Sequence, residues 1–417
     1  MPRVAEPIDE YLPTTPGELC RWMAENADGE QRPVYPVGGR TALRFGYPAA
    51  APGITLSTAQ LARVVDYPAR DMTITVEAGI RMDDLAAVLK RERQRLAVDV
   101  AQAHRATLGG AIATNTSGPR RYGLGTLRDY VIGVSAVDAL GRPFKAGGRV
   151  VKNVAGYDLC KALVGSLGTL GVITQATLKL RPAPEASALV WAAFDRLSLI
   201  DAALARLAVS STRPMALELL LPGAATAIAA EAGLDLPAHR PVLCIGVEGA
   251  PHEVQWQIDE LTSELAEFHP HDLVAVNALE SLRLWFALTE YQVASDEPLT
   301  FQASVRPSQA VEFAACADQL GISVQAHAGN GIVLGHLSDR ATTLAAAHSL
   351  LAPLYDFVRR AHGVMTILNC PPDWAHGLPL FGDLSPAWEL MRRLKSQLDP
   401  KNLLNPERFF GRTPRDA

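Results

Sequence analysis

Three runs of small residues constrain this chain more than anything else in it: "YPVGGRT" (35–41), "RATLGGAIATNTSGPRRYGLG" (105–125) and "GSLGTLGVI" (165–173). Each is a glycine turn that carries hydroxyl or amide groups and no acidic residue. Glycine lets backbone N–H groups come close to a phosphate, and an Asp or Glu inside such a loop would repel one. One glycine turn alone usually does no more than connect strands. Three within about 140 residues predict a site for a large ligand with a pyrophosphate and a flat ring. None of them is a G-x-G-x-x-G fingerprint, and there is no Walker A motif.

The flanking pattern predicts an α+β protein. "TPGELCRWMAENADGE" reads as a helix, "TITVEAG" as a strand and "MDDLAAVLKRERQRLA" as an amphipathic helix with Leu85, Val88, Leu89 and Leu96 on one face. "VIGVSAVDALGRPFKAGG" reads as a hairpin turning at Gly141, and Pro182 and Pro184 punctuate the end of "VITQATLKL". A domain boundary is expected near residue 183. Beyond it strands and helices alternate, with some adjacent strand pairs, which suits a ferredoxin-like α+β layer covered on one face. The expected division is a two-subdomain ligand-binding domain over 1–183, an α+β substrate or cap domain over 184–375, and a helix with a tail over 376–417 that returns to the first domain.

Composition excludes several classes. With 417 residues and a net charge of −5 the chain has the size of two or three domains and no basic footprint for nucleic acid. Five scattered cysteines without a CxxC pair leave no place for an iron–sulfur cluster or structural zinc. No apolar run reaches the length of a spanning helix, and "MPRVAEPIDEYLP" is unlike a signal peptide, so a cytoplasmic protein is expected, with membrane association through a partner left open.

The glycine runs resemble a known family. "YPVGGRT" resembles the Pro-x-Gly-Gly-x-Thr loop of the vanillyl-alcohol-oxidase-type flavoproteins, whose FAD domain is also called PCMH-type. "ATLGGAIATNTSGPRRYGLGTLRDYVIGV" resembles their second FAD loop. "KNVAGYDL" and the tail "LMRRLKSQLDPKNLLNPERFF" resemble the FAD-binding E subunit of glycolate oxidase. The likeness implies that Pro36, Val37, Gly38, Gly39, Arg40 and Thr41 wrap the FAD pyrophosphate. Gly79, Leu108, Gly109, Gly110, Thr114, Asn115, Ser117 and Gly118 would continue around it and the ribityl chain. Tyr122 would pack near the flavin, and Gly171, Val172 and Ile173 would meet the adenine through their main chain. Asn405 would return to the flavin edge. Arg40 stands where some members carry a histidine bonded to FAD, and His104 lies outside the motif, so non-covalent FAD is expected.

The resemblance also bears on catalysis. Related D subunits and D-2-hydroxyacid dehydrogenases carry a metal signature like His-x-Gly-Asp-Gly-Asn-x-His with a downstream glutamate. Here "HAGNGIVLGH" aligns His327 with the first ligand, puts Asn330 at the aspartate, and brings His336 two residues late; a hairpin at Gly329–Gly331 could bring the two histidines together. "TILNCPPDW" supplies no glutamate, so no metal site is expected. Arg306, at the end of "FQASVRP", is the first choice for a substrate carboxylate, with Arg283 second. Two readings stand. In the first the chain is the FAD-binding subunit of a glycolate oxidase complex, passing electrons between its flavin and its partners, a catalytic D-type flavoprotein and an iron–sulfur subunit. In the second it is a self-sufficient FAD-dependent dehydrogenase of glycolate or D-lactate that uses Arg306 and His327. The missing glutamate and the displaced histidine favour the first.

Overall fold

A computed structural model describes residues 9–148, 158–293, 298–337, 341–383 and 386–411. The "KNVAGYDL" residues 152–157 lie outside them. Strands β1 (Asp9–Tyr11), β2 (Val34–Val37) and β3 (Ile54–Ser57) form a parallel sheet in the order β1-β3-β2. Beside β2 lies the helix Pro16–Asp28, capped by the Thr15 hydroxyl accepting from Glu18 N–H, with proline in its first turn.

β4 (Val64–Asp66), β5 (Thr73–Glu77), β7 (Val131–Val137), β8 (Pro143–Gly147) and β9 (Val172–Lys179) make a second sheet in the order β4-β5-β9-β7-β8. The hairpin of β7 and β8 turns where expected, with Gly141 at φ +77. β6 (Gln94–Arg95) pairs with β10 (Arg181–Pro182). The helices Met82–Lys90 and Leu108–Thr114 bury Leu85, Leu89, Leu108 and Ile112 against this sheet.

The remaining strands form one antiparallel sheet of eight: β11 (Ala186–Ala193), β12 (Ala216–Leu220), β13 (Val242–Gly249), β14 (Asp272–Asn277), β15 (Leu299–Ser304), β16 (Ser323–His327), β17 (Ile332–Leu337) and β18 (Val364–Asn369), ordered β14-β11-β13-β12-β16-β17-β15-β18. One face carries Val190, Leu219, Ile245, Phe301 and Val324 and packs against the helices Leu197–Leu207, Pro251–Ala266, Ala310–Gln319 and Leu344–Arg360. The sheet is not covered on that face alone. Leu189, Trp191, Leu220 and Cys244 point the other way and are buried under the helices Pro222–Ala232 and Ala278–Glu290. Strands apolar on both faces need helices on both.

Polar residues interrupt that second face at β12, β16, β17 and β15, where Glu218, Gln325, His327, His336 and Thr300 stand at alternate positions. The short helix Arg121–Leu124 lies over this end, with Gly123 N–H donating to Met215 O at 3.0 Å. The tail closes back on the start of the chain. Val34 bridges Leu404, Asn405 N–H donates to Val34 O at 2.9 Å, and Lys401 Nζ donates to Ala27 O at 2.6 Å. Among the described residues no helix is long and apolar enough to cross a membrane.

Candidate active site

The three glycine runs do meet. Gly38 faces Thr107 so closely that a Cβ on it would overlap the hydroxyl, and a Cβ on Gly39 would overlap Arg105 O. Gly109 N–H donates to Ala78 O at 2.7 Å, Leu108 N–H to Ile80 O at 2.9 Å, and Gly165 N–H to Ile112 O at 2.9 Å. Leu167 N–H reaches Ala113 O at 2.8 Å, while Asn405 Nδ2 donates to Leu167 O at 2.7 Å and lies 3.0 Å from where a Gly168 Cβ would stand. Residues 36–41, 78–80, 105–118, 165–173 and 405 thus form one cluster. Arg40, Asn115, Leu167 and Asn405 all sit in the left-handed region, at φ of 57, 53, 52 and 41. Such turns point successive N–H groups the same way.

The cluster fits a diphosphate. Among the described residues the N–H groups of Gly38, Gly39, Arg40 and Thr41 donate to no protein acceptor, nor do those of Ser117 and Gly118. The Arg40 side chain turns outward to Glu10, at 2.8 Å, and leaves only its main chain in the loop. Leu108, Gly109 and Gly110 differ: their N–H groups go to Ile80 O, Ala78 O and the Thr107 hydroxyl, so these residues hold the loops together. Gly79 is likewise pressed against Thr58 O. Val172 and Ile173 pair with β7, while the ladder to β5 ends at the bond from Ala78 N–H to Thr174 O, so their other main-chain edge carries no strand. Gly171 is buried at the head of that edge. Thr114 Oγ1 bonds Gly110 O at 3.0 Å, and Asn115 caps the helix from an exposed position.

Next to this cluster the eight-stranded sheet presents a buried pair that sequence reasoning missed. Glu218 and His327 face each other across β12 and β16. His327 Nδ1–H donates to both Glu218 carboxylate oxygens at 2.8 Å, with the two residues 2% and 0% exposed. Gln325, next on the same face, donates to Glu218 Oε2 at 2.7 Å and to Leu288 O at 3.1 Å. His327 was legible as a candidate; its carboxylate comes from a strand more than a hundred residues earlier, visible only once the register is known. His336 does not join it. His327 pairs with Ile332 and His336 with Ser323, so the two share a face but stand roughly 13 Å apart at the rise of a strand. Burial pushes the His336 pKa down to about 4, and its ring packs edge-on against Tyr291 at 4.6 Å.

The helix Arg121–Leu124 connects cluster and sheet. A Cβ on Gly329 would overlap the Tyr122 ring, so Tyr122 rests on the turn that follows His327. Arg120 is clamped: Asp99 and Glu248 each lie 2.7 Å from it, and its guanidinium stacks 3.8 Å above the Trp285 ring. Arg95 adds a second contact to Glu248 at 2.6 Å. Among the described residues no carboxylate contacts Arg121 in this way. Its hydrogen bond goes from Nη1 to the buried Ser117 hydroxyl at 3.0 Å, and its Nε is buried with no acceptor. Burial pushes its pKa below the ordinary value, against the pull of Glu218 and Asp129. Arg306, the expected carboxylate ligand, is exposed beyond the end of β15, with its backbone against Gly331. His104 is exposed, and Arg283 pairs loosely with Glu280 at 3.9 Å.

Residues 11–147 match the model for the FAD binding domain, and residues 183–355 and 384–409 match the model for the C-terminal domain of FAD linked oxidases. The chain belongs to the FAD-linked oxidases. This oxidase is similar to glycolate oxidase subunit GlcD of Bacillus subtilis (strain 168), with 26% identity over 92% of this chain and 85% of that one. It is also similar to glycolate oxidase subunit GlcE of Escherichia coli (strain K12), with 35% identity, but over 40% of this chain and 47% of that one. The fold matches p-cresol methylhydroxylase with a TM-score of 0.72 and 16% identity, covering 96% of this chain and 88% of that one. The oxidase is therefore an α+β flavoprotein of the PCMH type that binds FAD. The likeness to an E subunit covers the lesser part of the chain, so the family stands at this broader level.

Proposed function

We propose that this oxidase oxidises a small 2-hydroxy acid of the glycolate or D-lactate kind to the 2-oxo acid, with His327 and Glu218 serving the chemistry. The observation that carries the reading is the imidazole held by both oxygens of one carboxylate on a buried sheet face beside the FAD loops. In support, the GlcD relative that spans most of the chain is named for glycolate. Pro36–Thr41, Ser117 and Gly118 would hold FAD, which when bound supplies the two-electron acceptor. Oxidation removes the hydroxyl proton and a hydride from C2. Since Nδ1–H is committed to Glu218, Nε2 carries the lone pair and is the atom that takes the hydroxyl proton. Glu218 fixes the ring orientation and offsets the positive charge that forms on it, and Gln325 keeps Glu218 in place. Anaerobic addition of glycolate or D-lactate to the purified, FAD-loaded protein should bleach the flavin. A flavin that no small 2-hydroxy acid reduces would reject the reading.

A second reading has its own support: the chain acts as a FAD-bearing subunit of a glycolate oxidase-type assembly with a D-type flavoprotein and an iron–sulfur subunit. Leu279, Leu282 and Phe286, at 69%, 56% and 55% exposure, line one face of the helix Ala278–Glu290. Such a stripe suits a protein partner. The five cysteines are free and dispersed, so a cluster would have to reside elsewhere. Affinity purification from the native host, with mass spectrometry of what accompanies the chain, separates the two readings.

A further inference from the structure

Arg120 and Arg121 are adjacent, both are largely withdrawn from water, and they are treated in opposite ways. Arg120 meets two carboxylates and an indole ring. Arg121 meets one hydroxyl, that of Ser117, and among the described residues it forms no ion pair. A buried cation without a counter-charge is costly, and so is a buried donor without an acceptor. Two more buried polar atoms without partners, Gln325 Oε1 and Asn330 Oδ1, lie on elements that meet at the same place. Gln325 neighbours Glu218 on the sheet, and Asn330 belongs to the turn on which Tyr122 rests. The guanidinium touches no carboxylate among the described residues and calls for an anionic acceptor, while the two amide oxygens call for a donor; a small acid that also carries a hydroxyl supplies both.

We propose that Arg121 binds the substrate carboxylate, its charge held between the flavin loop at Ser117 and the proton-accepting pair at His327. The inference rests on the 2-hydroxy acid reading and deepens it by naming the group that selects for an acid. Guanidinium suits the task, since its planar fork matches a carboxylate with charge-assisted hydrogen bonds. Arg306 is exposed and lies past the strand end, whereas Arg121 sits on the helix that joins the FAD cluster to the buried pair. A neutral alcohol would leave the cation unanswered, so the site discriminates against substrates without the acid group.

The test uses FAD-loaded protein and two carboxylates that cannot be oxidised at C2, oxalate and benzoate, titrated by calorimetry and by flavin absorbance. The wild type should bind at least one of them. Arg121→Gln should weaken that binding roughly 10- to 100-fold, and Arg121→Lys should fall between, with FAD content unchanged in both. The lysine variant carries the test if the glutamine variant fails to fold. Equal binding in wild type and Arg121→Gln overturns the proposal, as does a wild type that binds neither probe. A variant that loses FAD or alters the flavin spectrum while binding oxalate as before also overturns it, placing Arg121 at the flavin edge. If Arg121→Gln abolishes probe binding but no 2-hydroxy acid reduces the wild type, the anion site stands and the proposed reaction falls.

Discussion

At the scale of single residues, the pairing of His327 with Glu218 makes the first prediction. Glu218→Gln keeps the shape and removes the charge, so flavin reduction should slow by roughly 10²-fold or more while FAD remains bound, as rapid-mixing absorbance would show. His336 gives the second. Its folded pKa of about 4 lies below the ordinary 6.5, so the unfolded chain takes up a proton first as the pH falls. Stability from this group is full above about pH 6.5, is lost progressively toward pH 4, and changes no further below that. The loss should approach roughly 3 kcal/mol, and His336→Gln should flatten that part of the profile in urea unfolding between pH 7 and pH 4. His327 could be picked out of the sequence because "HAGNGIVLGH" resembles the family's metal signature and puts it at the first ligand. Glu218 could not, because "MALELLL" reads as an ordinary buried strand and its one carboxylate acquires meaning only from its cross-strand neighbour.

At the scale of elements, the glycine loops were legible as a ligand site, but the reason for many of the glycines was not. The sequence suggests that small residues make room for a phosphate. In the folded chain Gly38, Gly39, Gly109 and Gly118 make room for other parts of the protein: Thr107, Arg105, Ala78 and Asp99. With the loops stacked this closely, the N–H groups of 38–41 still donate to no protein acceptor among the described residues. Gly38→Ala should therefore separate the first two loops, costing roughly 1–3 kcal/mol in stability and lowering the FAD retained through purification. Two helices escaped the sequence reading for physical reasons as well. "PGAATAIAAEA" is too uniformly small to show an apolar stripe, and Ala278–Glu290 carries large apolar residues both on its buried face and on its exposed one. The second cover of the sheet, and hence the wall behind the buried pair, was therefore missing from the expected fold.

At the scale of the whole molecule, Arg120 ties the glycine-loop region to the eight-stranded sheet through Asp99, Glu248 and Trp285. Burial alone would lower its pKa, yet the two carboxylates raise it, so the charge is held in place. Arg120→Met should cost about 3–5 kcal/mol, because it strands Glu248 and Asp99, and calorimetric unfolding should show the loss. The same scale gives the tail its importance. Arg408 donates to Leu43 O and to Tyr47 O, Lys395 is buried against Asp399, and Asn405 fastens β2 to the 165–170 loop. Residues 34–41 are synthesised early, yet the parts that lock them in position emerge some 360 residues later. A ribosome holding this chain stalled before Leu404 would carry a cradle with one wall absent, so cofactor uptake belongs to the time after translation of that segment, and a nascent chain has to stay soluble without its flavin until then.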